Sequence, residues 1–263
     1  MTGEHLQRPS ESSSHARPEP KVSLELRYRS VAAFLCAYSS RLSRGEVFLE
    51  TEKPLPRGTR TALRLLVPGT PPLDIEGSVI WNRIVAIGPG QPAGMGIALS
   101  SSIEAHGAII DELAGRYSRI RILVVGAARA PRAVIGRYLR SILACDAIEV
   151  APPPASPGNN PGLIWGPVSG LGEEIAKEIE TGIDLAVVDM DADRVAGETV
   201  IRRLKIGGAT ADLAVIALAQ LERDRALAAA MGADEVLTTP PLFSELRTAV
   251  IHGLSQPRSW ASR

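Results

Sequence analysis

The sequence is poor in most of the residues that place a protein quickly. Of its 263 residues only 4% are aromatic, two are cysteine and four are histidine. Cys36 and Cys145 lie far apart with no CxxC spacing, so both read as reduced, buried small hydrophobes rather than as a disulfide framework or thiolate site. His5, His15, His106 and His252 are equally scattered, and none has a second ligand at metal spacing. Acidic and basic residues cancel at 29 each. With no like-charge block along the chain, no overall field would draw in nucleic acid or an anionic membrane. No apolar run approaches the roughly 18 residues that a membrane span requires. The N-terminus "MTGEHLQRPSESSSHARPEP" lacks the apolar core of a secretory signal. The expectation is a cytoplasmic protein with no membrane span and no nucleic-acid partner.

What is present divides the chain. Residues 1–20 are polar and rich in Ser, Pro and Glu, too poor in large apolar side chains to fold alone, and read as a disordered leader. From 21 to 102 the text turns to short β-type runs: "VSLELRYRS", "EVFLETE", "TRTALRLLVPG", "LDIEGSVIWNRIVAI" and "GMGIALSS". Five or six short strands, Pro and Gly between them and no long helix predict a small antiparallel β-barrel. Residues 103–118 then space Ile103, Ile109, Ile110 and Leu113 as a connecting helix with a serine N-cap. From 119 to 255, "RIRILVV", "IDLAVVD", "DLAVIALA" and "DEVLTT" are buried-type strands alternating with helical text. Repeated strand-then-helix units demand right-handed crossovers, hence a doubly wound α/β domain with a five-stranded parallel sheet. Residues 256–263 read as a tail. About twenty residues of "APPPASPGNNPGLIWGPVSG" interrupt the second crossover, where a loop of 2–6 residues is usual, and put Trp165 near the carboxyl edge of the sheet.

That edge is where open α/β sheets keep their chemistry, and "DLAVVDMDAD" ends its strand there on Asp189. Asp191 and Asp193 follow at alternate positions. As a calcium loop the run fails, with Arg194 at the sixth position where Gly belongs and Val200 at the twelfth where Glu belongs. As a phosphatase motif it lacks a downstream Lys and acid pair. No enzyme and no metal site is expected from it.

The order of elements, with "RILVV", "DLAVVDMDADRVAGETVIRRLK" and "AAMGADEVLTTPP", resembles the receiver domain of bacterial response regulators over nearly all of 119–254. The resemblance makes Asp189 the phosphoacceptor position. It also implies an acid pair for Mg²⁺ after the first strand, a Lys after the fifth and a hydroxyl residue after the fourth. Gly126 and Ala127, Thr239 and Ala219 stand there instead. Without the cation and the fixed positive charge the main electrostatic help to phosphoryl transfer is gone, so Asp189 is expected to be inactive and Mg²⁺ absent. In the family the last two helices and the last strand form a docking face. "PPLFSELRTAVIHGL" would build part of it, although Phe243, Leu246, Val250 and Leu254 at helical spacing also suit the core.

The segment from "RYRSVAAFLCAYSSRLSRGEVFLETEKPLPRGT" through "GSVIW" to "GMGIALS" resembles a PilZ-type domain of the myxobacterial and deltaproteobacterial subgroup. Such domains are best known for binding cyclic di-GMP through RxxxR and [DN]xSxxG. Arg17 and Lys21 stand at the two basic positions, and only Ser43 survives of the turn motif, with Arg41 for the acid or amide and Glu46 at a position that should be small. An ammonium cannot replace a stacked, bidentate guanidinium, and Glu46 would repel a dianion. The two resemblances together imply a non-enzymatic signalling adaptor acting by protein–protein contact, with motility or polarity proteins or a second copy of the receiver-like domain as partners. The alternatives are a cyclic di-GMP receptor using Arg17, Lys21 and Ser43, and a response regulator phosphorylated on Asp189.

Overall fold

The computed structural model describes residues 22–87, 92–100, 106–117, 119–152, 171–206, 208, 210–257 and, for backbone only, 259–262. The leader 1–20, Arg17, Lys21 and the Trp165 loop lie outside the described residues.

The N-terminal half is a curled sheet in the order β11-β1-β3-β4-β5-β2. Its strands are β1 (Val22–Arg27), β2 (Glu46–Glu50), β3 (Arg60–Leu66), β4 (Leu73–Arg83), β5 (Gly94–Leu99) and β11 (Ser259–Ser262). Two features correct the expectation of a small antiparallel barrel. β1 runs parallel to β3, with Val22 opposite Thr61 and Arg27 opposite Leu66, and no pairing among the described residues joins the edge strands β2 and β11. The sheet is therefore mixed and open. Its first two strands, β11 and β1, come from opposite ends of the sequence, because the expected tail folds back as β11 against β1, pairing Leu24 with Ser262 and Arg27 with Ser259.

The third correction is a helix, α1 (Val31–Ser40), where no long helix was expected. Ser30 caps it, its Oγ accepting from the Ala33 N–H at 3.1 Å. Ala33, Phe34 and Ala37 fill the sheet's concave core with Leu24, Leu26, Leu49, Leu63, Met95 and Ile97, while Ala32 and Cys36 face the other half of the molecule. A helix apolar all round must be covered on both sides, and this one is.

α2 (Gly107–Gly115) follows within the span predicted as a connecting helix, without a side-chain cap; Ile110 and Leu113 enter the N-terminal core, and residues 103–105 lie outside the described residues. The C-terminal half is a parallel sheet in the order β10-β9-β8-β6-β7, formed by β6 (Ile120–Val125), β7 (Cys145–Val150), β8 (Leu185–Asp189), β9 (Ala214–Leu218) and β10 (Glu235–Leu237). Counted within the half, the strand order is 2-1-3-4-5, one of the two common doubly wound arrangements. The covering helices are α3 (Arg129–Ile142), α4 (Glu173–Thr181), α5 (Arg194–Ile206), α6 (Glu222–Ala230) and α7 (Phe243–Ser255). Every residue of β8 is buried, as a central strand covered on both faces requires.

The halves are packed together. α1 lies against α7, and Ala32 and Cys36 join Ile120, Leu139, Cys145, Leu246, Val250 and Leu254 in one apolar cluster. Ser30 Oγ also donates to Asp184 Oδ1 at 2.7 Å, and the other oxygen of that carboxylate accepts from the Arg121 N–H at 3.0 Å.

Candidate functional site

Two places gather chemistry. The first is the carboxyl edge of the parallel sheet, where the order reverses between β6 and β8. β8 delivers Asp189 there, 3% exposed. β6 ends beside it at Val125, and Gly126 faces Asp189: a Cβ on Gly126 would stand 3.0 Å from Asp189 Cβ and 3.4 Å from its Oδ2; Ala127 follows, exposed. β9 ends at buried Ala219, and β10 leads to Thr239, whose Oγ1 is buried with no hydrogen-bond partner and which precedes a cis proline. Of the residues that the receiver resemblance assigned to this edge, Gly126 lies against Asp189, and Ala127, Ala219 and Thr239 follow the ends of neighbouring strands.

What they hold is one carboxylate among small or neutral groups. Burial pushes the Asp189 carboxyl above the usual carboxylate range, against the opposing help of the Asp191 N–H, which donates to Asp189 Oδ1 at 3.0 Å. The two following aspartates serve the backbone. Asp191 Oδ1 accepts from the Gln220 N–H at 2.7 Å, and Asp193 Oδ1 accepts from the Ala196 N–H at 3.0 Å at the start of α5. The cationic side chain against Gly126 is Arg132 of α3, whose Nη1 donates to the Gly126 and Ala127 carbonyls. Among the described residues no group of three His, Cys, Asp or Glu side chains could hold a metal ion.

The second place lies between the halves, and sequence reasoning missed it. β5 carries Gly94 and Gly96 on its outer face while Met95 and Ile97 face the core. Phe48 of β2 and Trp81 of β4 both pair with Gly96, from opposite sides. A bulge at Ile80 makes this possible: Leu73, Ile75 and Val79 face inward, and simple alternation would send Trp81 inward too, but the register shift between Val79 and Trp81 turns it outward. With no Cβ beneath them the two rings stack, centroids 5.5 Å apart and planes 16° apart. Arg41 lies 5.2 Å over the Phe48 ring and Arg83 lies 5.4 Å from that of Trp81.

These side chains line a cleft of about 230 Å³ with Glu46, Pro92 and, from α7, His252. His252 places its Nδ1 3.1 Å from Glu235 Oε1 of β10, both side chains 10% exposed, and its Nε2 is buried without a partner. Ser43 is exposed on a single 3-10 turn, Leu42–Arg44, and does not line the cleft. The available signal was "GMG": two glycines on one face of a strand imply that something large lies flat across them.

Solved receiver domains resemble the C-terminal half. The N-terminal receiver domain of a Bacteroides fragilis response regulator is 17% identical, with 53% of this chain and 99% of that one covered and a TM-score of 0.39. A receiver-domain protein from Clostridium thermocellum is 23% identical over 52% of this chain and 94% of its own, with a TM-score of 0.37. The receiver domain of a histidine kinase from Syntrophus aciditrophicus is 20% identical over 51% and 89%, with a TM-score of 0.39. No protein-family model and no curated protein matches the sequence.

Proposed function

We propose that this chain is a non-enzymatic cytoplasmic signalling adaptor: a receiver-type module without phosphoryl chemistry, fused to a PilZ-type sheet, that works by contact with other proteins. The observation that carries the reading is the Asp189 cleft. A phosphoryl group arriving there would meet a carboxylate whose burial already disfavours charge, with Gly126, Ala127, Ala219 and Thr239 where metal ligands, a switch hydroxyl and a lysine would be needed. Surface features support contact with protein. Val134, Tyr138, Leu242 and Phe243 are exposed at the junction of α3 and α7, with Tyr138 and Phe243 edge to face at 5.7 Å. Much of the helix expected to dock partners is occupied instead: Leu246, Val250 and Leu254 are core, and α1 packs against α7, which leaves its N-terminal end free for a partner or a second copy. Incubating the chain with acetyl phosphate and Mg²⁺ tests the reading. The expected result is no label, and a label on wild type that disappears in Asp189→Asn would replace it with a working response regulator.

A second reading is favoured by the aromatic and arginine cleft. Two guanidiniums over stacked rings are suited to a phosphate-bearing base, and with the cleft bordering His252 an occupant would bear directly on α7 and β10. On this reading the protein is a cyclic di-GMP receptor, and motility or polarity proteins are its downstream partners. Calorimetry separates the two. Micromolar binding lost in Arg83→Ala would establish the receptor with this cleft as its site, and binding lost only in Arg17→Ala would place the ligand at the predicted motif.

A further inference from the structure

The β4–β5 hairpin carries an apolar tip beyond the rest of its sheet. β3 accompanies β4 only as far as the Arg60–Ser78 pair, whereas β4 and β5 stay paired to Arg83–Gly94. The five residues 79–83, about 17 Å of strand at ordinary rise, therefore run past β3. On that side they are flanked by the loop after β2, through Gly58 N–H to Val79 O at 2.7 Å, Val79 N–H to Thr59 O at 2.9 Å and Asn82 Nδ2 to Leu55 O at 3.2 Å. Beyond Asn82 and Arg83 come Ile84, Val85, Ala86 and Ile87. The three large aliphatics are 72, 71 and 74% exposed, and no other stretch of four described residues exposes three. An aliphatic cluster held in water just past the last pair of the hairpin marks a contact surface.

The groups behind the tip select the kind of surface. Arg83 comes first, with its guanidinium 5.4 Å from the Trp81 ring and Nη1 donating to Pro92 O at 3.1 Å, and Trp81 next, 37% exposed. The flanking loop adds exposed Lys53 and Arg57; the acids nearby are Glu52 and Glu50, the latter in the field of His252. Exposed aliphatic side chains with guanidinium, ammonium and an indole close behind them is the make-up of a segment that enters a bilayer interface, aliphatics at the acyl boundary and the indole and cations at the level of the headgroups. We propose that this hairpin tip docks the protein on an anionic lipid surface, Ile84, Val85 and Ile87 entering the acyl boundary while Arg83, Lys53 and Arg57 meet lipid phosphates. A protein groove would also accept three aliphatics, but aliphatics accompanied by cations and an indole suit a surface of fixed chemistry and no fixed shape. The cancelled net charge supplies no long-range steering, so docking is short-ranged and salt-sensitive.

The test uses the full chain and large vesicles of phosphatidylglycerol mixed with phosphatidylcholine, with pure phosphatidylcholine as control. The chain should sediment with the anionic vesicles. In a Trp165→Phe, Trp260→Phe background the remaining Trp81 emission should shift to the blue on binding. Val85→Asp with Ile87→Asp should weaken sedimentation tenfold or more, and Lys53→Gln and Arg57→Gln about fivefold each on anionic vesicles alone. Lys53, Arg57, Val85 and Ile87 are exposed, so each variant at these positions should match the far-UV spectrum of its parent. Wild type that stays in the supernatant overturns the proposal, and that is the outcome if the tip serves a protein groove. So does a double aspartate variant that binds as wild type does.

Discussion

Gly96 lies beneath the indole of Trp81, so the effect of one added methyl group can be worked out beforehand. A Cβ there falls inside contact distance of Trp81 Nε1 and Cε2 and 2.8 Å from Cδ1. The ring, being 37% exposed, has room to swing outward and is the group that yields. Its departure breaks the stack on Phe48 and the Arg83 contact. The aromatic pair contributes about 0.5–1.5 kcal/mol, an exposed cation–π contact about 0.5–1, and the ring's lost burial about 1 more. The usual gain of Ala over Gly in a strand returns about 0.5–1, leaving a net cost for Gly96→Ala of about 2 kcal/mol. In a Trp81→Ala background the same substitution meets no ring and should be neutral or slightly stabilising, a coupling of about 2 kcal/mol in the double-mutant cycle. Gly94 supplies the control. A Cβ there would run into the Leu49 carbonyl oxygen as well as Phe48 Cζ at 2.6 Å, and a paired backbone cannot swing away, so Gly94→Ala should stay costly in both backgrounds. Urea unfolding followed by far-UV circular dichroism measures all of these without relying on the tryptophan signal. If Gly96→Ala costs as much without Trp81 as with it, the seat described for the indole is wrong.

Three further outcomes are expected. Because burial raises the Asp189 pKa, the folded chain keeps that proton at pH values where the unfolded chain has lost it, so stability falls as pH rises from about 3.9 through the folded pKa. Asp189→Asn, which keeps an oxygen for the Asp191 N–H, should match or exceed wild type at pH 7 and lose that advantage below about pH 4; a deficit above about 1 kcal/mol at pH 7 in urea titrations would contradict this. Ser30→Ala removes both the α1 cap and the hydrogen bond to Asp184, and thermal unfolding should report a loss of about 2 kcal/mol. Burial pushes the Cys36 thiol up to about 11. At pH 8 it is then about a thousandth thiolate, against roughly a quarter for a free cysteine, so alkylation by iodoacetamide should run on the order of a hundredfold slower than for a model thiol.

The doubly wound half was legible because its signal is local: buried β runs alternate with helical text, and a parallel sheet follows from right-handed crossovers alone. Asp189 was legible for the same reason, since it ends an apolar run whose place in the strand order fixes its place in space. The N-terminal half was harder. "VAAFLCAYSS" carries no polar face, because one side meets the sheet and the other meets α7, so the amphipathic pattern that announces a helix is missing. β11 pairs with β1 across more than two hundred residues, and nothing local predicts that. Trp81 was hidden by a single bulge: up to Val79 the alternation of β4 is regular, and one extra residue reverses the face of everything after it. His252 reads as a solitary histidine on a helix, and only the packing of two domains puts it beside Phe48, at 6.5 Å between centroids.

The neighbours of Asp189 lie where the fold does not depend on them. Gly126, Ala127 and Thr239 stand just past the ends of their strands, outside the apolar layers that fix the sheet. Small groups there put no like charge beside a buried carboxylate. The joints between the halves hold α7 from both ends. α1 is packed against α7, Ser30 holds Asp184, and β11, three residues beyond α7, is fixed to β1. Any displacement of α7 would pull on the N-terminal sheet at both ends, so the two halves behave as one body.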